Sequence, residues 1–320
     1  MKYNALVVGL GRIGLGFDLT SQAGQILTHT KAYLKHKDFN LVAGVDVNSS
    51  RRKEFQNYSG KIAYRDIEQF IEHDKTKIDV VSLCTPKNIR LSEFVKILVL
   101  KPRLVIIEKP LALTVDEAKK IKMLSAKHKI KIFVNYTRRV DPIFERLKKV
   151  LYSKKYGQIS SIKINYYGGM YNIASHFIDL IMYYFGIPKN ITCQKIAKRE
   201  DGDIAASFIL SFKGFDVSFN HVPSVLYSVI EMHLFLSKGK ILISDGGVRI
   251  KAFKAVKDPI FKKYYSLKEM PFGAQPQPYK YQFNVLNHIS LALKSNRPLA
   301  STVKTALNTL WVCKEIEHGI

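Results

Sequence analysis

The chain has 320 residues, more than one compact core usually needs, and at about 150 residues per domain two domains are expected. Its 47% hydrophobic and 24% charged residues are those of a globular chain and exclude extended disorder. A formal net charge of +25 raises nucleic acid, an anionic membrane face or a phosphorylated ligand as partners, but the lysines are scattered and no nucleic-acid module accompanies them, so neither nucleic acid nor membrane is expected.

That charge is read either as a background property of the chain's source or as help in attracting an anionic cofactor and substrate. The three cysteines, Cys84, Cys193 and Cys313, are far apart and odd in number. Neither a disulfide framework nor a metal site is expected, and a reducing cytoplasm is the natural compartment. The apolar start contains Gly9, Gly11, Arg12 and Gly14, which reads as a strand and turn and not as a signal peptide. No run of about 18 apolar residues occurs, so no spanning helix is expected.

In chain order, Ala5 to Val8, Leu41 to Val45, Val80 to Leu83, Leu104 to Ile107 and Ile132 to Val134 are continuous apolar runs, as strands buried on both faces require. Helices are predicted between them at Ser49 to Asn57, Asp66 to Glu72, Leu91 to Leu98 and Thr114 to His128. The last opens with Thr114 and Glu117 in capping-box spacing. This alternation predicts a doubly wound parallel α/β Rossmann domain over 1–137.

Residues 138–320 read as an α+β domain with a large, mostly antiparallel sheet. Asp141-Pro142 opens a helix to about Tyr152. Strands follow at Ile159 to Tyr167, Ile191 to Ala197, Ala205 to Phe212, Asp216 to His221, Val229 to Leu236, Lys240 to Ser244 and Val248 to Phe253, with a helix from Asn172 to Phe185 among them. Lys254 to Tyr279, with four prolines, reads as a long loop, and helices near Tyr281 to Lys294 and Val303 to Glu317 close the chain.

Three groups of residues carry chemistry. Gly9-Leu10-Gly11-Arg12-Ile13-Gly14 follows the first strand, where glycines let the backbone approach a pyrophosphate. Asp46 ends the second strand as the acid expected on the adenosine ribose, which favours NAD over NADP. Arg51 and Arg52 either meet a 2′-phosphate or are solvated helix residues. Residues 15–26 separate the turn from a helix starting near Leu27 and read as a loop at the cofactor or substrate mouth. Cys84-Thr85-Pro86 follows the fourth strand and Glu108-Lys109-Pro110 the fifth, at the carboxyl edge where such sheets bind ligands. Asn172, His176 and Asp179, spaced by four and three, fall on one face of a predicted helix beside an apolar stripe. Asn135 and Arg139 either bind hydroxyls or phosphate or brace the domain interface, while His29, His221, His233 and His288 show no partner in the sequence.

Together these motifs resemble the Gfo/Idh/MocA family, which includes glucose-fructose oxidoreductase and inositol dehydrogenase. The resemblance implies that Lys109 sits by the nicotinamide and the substrate hydroxyl, and that His176 transfers a proton or binds substrate. It also implies that Asn135 and Arg139 lie where the family's chain passes the substrate. Where the family pattern begins Asp-x-x-x-His-x-x-Asp, this chain has Asn172, which removes a carboxylate that would stabilise imidazolium. Asparagine there is similar to members that oxidise the sugar of a UDP-linked substrate. The implied function is NAD-dependent hydride transfer at a carbinol carbon of a sugar or nucleotide sugar. The alternative is a non-catalytic dinucleotide-binding regulator of the same fold. A sheet with one uncovered face implies a homodimer or homotetramer.

Overall fold

The computed structural model describes residues 2–223, 226, 227 and 229–319. The chain divides into two compact units. One holds the residues up to Val140 together with Pro278–Leu310, the other Asp141–Gln277 with the stretch from Trp311 on. The sequence placed 138–320 in one domain. The return of Pro278–Leu310 to the first unit corrects that boundary.

The first unit is built on six parallel strands, β1 (Tyr3–Val8), β2 (Phe39–Val45), β3 (Ala63–Tyr64), β4 (Val80–Leu83), β5 (Leu104–Ile107) and β6 (Lys131–Val134), in the order 3-2-1-4-5-6. Every residue of β4 and β5 is buried, which explains why these strands are continuous apolar runs and not alternating ones. Between the strands run α1 (Phe17–Leu19), α2 (His29–Lys35), α3 (Ser49–Ser59), α4 (Ile67–His73), α5 (Arg90–Ile97) and α6 (Val115–Lys127). Thr114 caps α6 through the Glu117 N–H while Glu117 returns the bond, completing the capping box. One core cluster joins Val7, Leu10, Tyr33, Phe39 and Phe133 to Val285, Leu286 and Ile289. The last three lie on α9 (Tyr281–Ser295), so burial of its apolar stripe is what brings this late segment back.

The second unit opens with α7 (Pro142–Tyr152), capped by Asp141. Its sheet comprises β7 (Ile159–Tyr166), β8 (Asn190–Lys198), β9 (Ile204–Ser211), β10 (Asp216–His221), β11 (Ile230–Leu236), β12 (Gly239–Ser244), β13 (Arg249–Lys257) and β14 (Tyr265–Met270), in the order 14-13-12-11-7-10-9-8. All pairings are antiparallel except β7 with β10. Strict alternation of buried and half-buried residues in β9, β11 and β12 shows one covered face. The helix α8 (Ser175–Phe185) belongs to this unit, and the division between units falls inside α10 (Val303–Glu317).

Two readings change. The stretch from Lys254 to Tyr279 is not a single loop, because β13 continues to Lys257 and pairs with β14. Its prolines, Pro259, Pro271, Pro276 and Pro278, all lie outside β14, so none removes a ladder donor from that strand. Residues 15–26 are not all loop either. A π-helical turn at Arg12–Gly16 runs into α1, because the Gly11 carbonyl accepts both the Leu15 and Gly16 N–H groups. The glycine turn therefore does enter a helical start, and the break falls only after Leu19.

Candidate active site

The glycine turn follows β1 at the carboxyl edge of the parallel sheet. Gly9 has φ +94°, and a Cβ there would lie 2.8 Å from the Cys84 carbonyl carbon. A Cβ on Gly14 would lie 2.0 Å from the Gly9 carbonyl oxygen. The fold itself demands these two glycines. Gly11 differs, since its φ is −67° and an added Cβ would meet only Arg51 Nη1, at 3.8 Å. Nothing in the chain needs a glycine at 11, which fits a turn whose open side receives a ligand backbone to backbone. Arg12 is exposed and Ile13 half-buried on the same turn.

Asp46 is buried at the end of β2. Its Oδ2 accepts the Leu10 N–H at 2.8 Å and its Oδ1 the Asn48 N–H at 2.8 Å. Arg51 Nη1 stands 3.7 Å from Oδ2, whereas Arg52 donates to the carbonyls of Asp46 and Val47. Of the two arginines, Arg51 is therefore the one beside the acid and the turn.

Past β4, Thr85 is buried and its Oγ1 has no hydrogen-bond partner among the described residues. The same holds for Asn135 Oδ1, past β6. Two orphaned buried oxygens at one sheet edge fit a site completed by a ligand. Arg90, which sequence reasoning missed, is buried on α5 and donates to the carbonyl of Thr85 at 2.6 Å and to that of Pro110. It ties the loop after β4 to the loop after β5. Burial, then the Glu108 charge, pushes the Cys84 thiol well up, so Cys84 is not a ready nucleophile.

Glu108 and Lys109 follow β5, and the Lys109–Pro110 peptide is cis. Lys109 is half-buried, and its N–H donates to Glu108 Oε2 at 3.3 Å. Glu108 Oε1 accepts from His29 Nε2 at 3.0 Å and from Asn135 Nδ2 at 2.5 Å. Asn135 Nδ2 also lies 3.3 Å from Gln282 Oε1. Burial pushes the Glu108 carboxyl up, but the His29 bond and charge, the Asn135 amide and the Lys109 charge together hold it below the ordinary carboxylate range. His29 thus has a partner, which sequence could not show across 79 positions. His288 accepts the Ala300 N–H, His233 lies 3.8 Å from Glu231, and His221 packs edge-on against Tyr166. Arg139 is buried and donates to the Ala300 carbonyl at 3.1 Å. Asn135 and Arg139 thus both make hydrogen bonds within the first unit.

A further anchor is Asp18. Its carboxylate accepts from the Leu27 and Thr28 N–H groups and from the hydroxyls of Ser21 and Thr28, with Lys31 Nζ at 3.4 Å. It closes the loop between α1 and α2 next to the glycine turn.

In the second unit, Asn172 does not share one regular helix with His176 and Asp179. It lies in a π-helical turn, Met170–Ala174, before α8 begins at Ser175. Asn172 is exposed, His176 half-buried and Asp179 buried, so the three do not form one solvent-facing row. The turn is held by Asp203, unnoticed in the sequence, which accepts the Tyr171 N–H at 3.0 Å and the Asn172 N–H at 2.9 Å. A Cβ on Gly169 would lie 1.9 Å from Asp203 Oδ2, so Gly169 is what lets that carboxylate reach the turn.

The sheet order, the glycine turn after β1 and the acid after β2 define a Rossmann domain of the dinucleotide-binding type. Residues 3–136, the strands and helices of the parallel sheet, match the model of the family described as "Oxidoreductase family, NAD-binding Rossmann fold". The chain is 24% identical over 141 residues to scyllo-inositol 2-dehydrogenase (NADP(+)) IolW of Bacillus subtilis, a match covering 38% of each chain. The matched stretch thus spans well under half the length of that relative. In fold it is similar to the WlbA dehydrogenase of Bordetella pertussis, solved in complex with NADH and UDP-GlcNAcA (TM-score 0.78, 17% identity, 100% of this chain and 96% of that one). It is also similar to UDP-N-acetylglucosamine 3-dehydrogenase GnnA of Acidithiobacillus ferrooxidans (TM-score 0.78, 14% identity, 100% and 98%). Among the described residues, no helix is long and apolar enough to cross a membrane.

Proposed function

We propose that the chain is an NAD-dependent dehydrogenase acting on a carbinol carbon of a sugar, with a nucleotide sugar as the favoured class. The observation that carries the reading is Lys109, half-buried after β5 beside a held carboxylate, on the same sheet edge as the glycine turn. Gly9, Gly11, Arg12, Ile13 and Gly14 would hold the pyrophosphate and Asp46 the adenosine ribose, with Cys84, Thr85 and Pro86 along the same edge. When bound, the dinucleotide supplies the redox chemistry.

Oxidising a carbinol requires that its hydroxyl proton leave to a nearby base and that developing negative charge be steadied. Lys109 Nζ is suited to both: as the amine it takes the proton, and as ammonium it stabilises an alkoxide. His176 is proposed as a second proton-handling or hydroxyl-orienting group, with Asn172 and Asp179 as substrate contacts. Asn135 and Arg139 are assigned to support of the site. The preference for a nucleotide sugar draws on the net charge of +25, on Asn172, and on the two nucleotide-sugar dehydrogenases of like fold.

The half-exposed face of the eight-stranded sheet, where Ile209, Phe235, Leu242 and Phe253 lie, supports self-association as a homodimer or homotetramer. The test of function is to offer NAD with UDP-, GDP- and CDP-sugars beside free sugars and inositols and to follow NADH absorbance. Activated sugars should be favoured. Turnover confined to neutral polyols overturns the substrate class, and no turnover of any, with NADH bound, would point to the regulator.

A further inference from the structure

His29 lies far from Lys109 in sequence and belongs to no motif, yet it is buried against the residue that precedes Lys109. The network around Glu108 is drawn from four elements. His29 comes from the start of α2, Glu108 from just beyond β5, Asn135 from beyond β6, and Gln282 from the first turn of α9. All four side chains are buried. Oxygen Oε1 is the shared acceptor of His29 and Asn135, while Oε2 faces the Lys109 N–H. The carboxylate is thereby fixed in orientation, with one oxygen on the Lys109 backbone and its charge felt by the Lys109 side chain. Other charged or titratable groups acting on this cluster include Arg90 from α5, Cys84 from beyond β4 and, through Arg90, Tyr136.

We propose that His29 is a positioning residue for Lys109: by binding Glu108 it fixes and partly offsets the carboxylate beside the lysine, weakening that carboxylate's hold on the Lys109 proton. The physical basis is simple. An unshielded carboxylate next to an ammonium favours the charged lysine, and in a poorly solvated site that preference is strong. His29 and Asn135 spend one carboxylate oxygen on donors other than the lysine. Without His29 the full charge of Glu108 falls on Lys109 and retains its proton. This proposal rests on the reading of Lys109 as the proton-handling group, but its test does not use turnover.

The experiment is trace acetylation with acetic anhydride, which reacts only with the unprotonated amine. Lys109 modification is read by mass spectrometry across a pH series, with the exposed Lys119 as internal standard. For His29→Leu, the Lys109 rate at neutral pH should fall about threefold to tenfold, with its pH dependence moved upward; tenfold corresponds to one pKa unit. His29→Gln, which keeps a donor for Glu108, should lie between the two. Glu108→Gln should raise Lys109 reactivity above the parent, and His29→Leu added to Glu108→Gln should have no further effect. A merely structural role for His29 would not disappear with Glu108. Lys109 reactivity within about twofold of the parent in folded His29→Leu, or an undiminished His29 effect in the Glu108→Gln background, overturns the proposal. Should His29→Leu fail to fold, His29→Ala, which also removes the donor, carries the same decision. If reactivity moves as stated but Lys109→Met still turns over substrate, the coupling stands and the reading of Lys109 as the base fails.

Discussion

The Leu10 N–H donates to Asp46 Oδ2 at 2.8 Å, so the acid that follows β2 is fastened to the glycine turn after β1. A carboxylate fixed there can accept ribose hydroxyls without reorganising and repels a 2′-phosphate. NAD(H) should therefore bind more tightly than NADP(H) in calorimetric titrations. Asp46→Ala should weaken NADH by about tenfold to a hundredfold, as for loss of hydrogen bonds to a charged group. Because Arg51 Nη1 lies 3.7 Å from Asp46, that variant should also narrow the gap to NADPH. Tighter NADPH binding by the parent protein would reverse the assignment.

The two ends of the glycine turn should respond differently to the same substitution. Gly9→Ala forces a side chain into φ +94° and within 2.8 Å of the Cys84 backbone. It should destabilise the fold by more than about 1 kcal/mol. Gly11→Ala meets only Arg51 Nη1 at 3.8 Å, so its melting temperature should stay within about 2 °C of the parent. Dinucleotide affinity should nonetheless fall at least about tenfold, because the added methyl occupies the open side of the turn. Unchanged NADH binding in Gly11→Ala would remove that side of the turn from the site.

Asp38 reports on how α9 is held to the first unit. Lys294 Nζ stands 2.7 Å from its carboxylate and the Ser290 hydroxyl donates to it at 2.6 Å. These two, the lysine first, lower its pKa from 3.8 to about 2. For a carboxyl depressed in the folded state, the stabilisation is complete above the unfolded value and is lost as pH falls through the folded one. Asp38→Asn should thus lower the melting temperature at neutral pH, and the gap to the parent should close between pH 3.8 and about 2. A gap that persists undiminished at the acid end would show that the pair does not act through charge.

These cases mark what the sequence could and could not reveal. The strands of the first sheet were legible because burial on both faces forces continuous apolar runs, and α6 and α7 because Thr114, Glu117 and Asp141 write their caps locally. Lys109 was legible because Glu108-Lys109-Pro110 is contiguous. His29 was not, since its partner is 79 positions away and no spacing rule joins an imidazole to a distant strand end. Asp203 was hidden in the same way, 31 positions from Asn172, with Gly169 as its only local sign. The strand β14 was obscured by prolines that flank it but do not enter it. The π-helical turn at Met170–Ala174 was missed because its widened backbone leaves the residue pattern close to that of an ordinary helix.

The proton step gives the sharpest test of the functional reading. Lys109 follows β5, while the adenosine half of the cofactor is assigned to the glycine turn and Asp46, so altering the lysine should spare dinucleotide affinity. Lys109→Met keeps the apolar stem but removes the charge and the amine. Turnover should fall at least about a hundredfold, the lower range for loss of a general acid or base, with NADH binding by fluorescence nearly unchanged. His176→Ala should also slow turnover, though by less. With asparagine at position 172, exposed in its own turn, that position offers His176 no carboxylate to stabilise an imidazolium. Steady-state kinetics on both variants, with the preferred substrate from the sugar panel, order the two effects. A Lys109→Met protein as fast as the parent beside an inactive His176→Ala would transfer the base to the histidine and leave Lys109 a structural member of its loop.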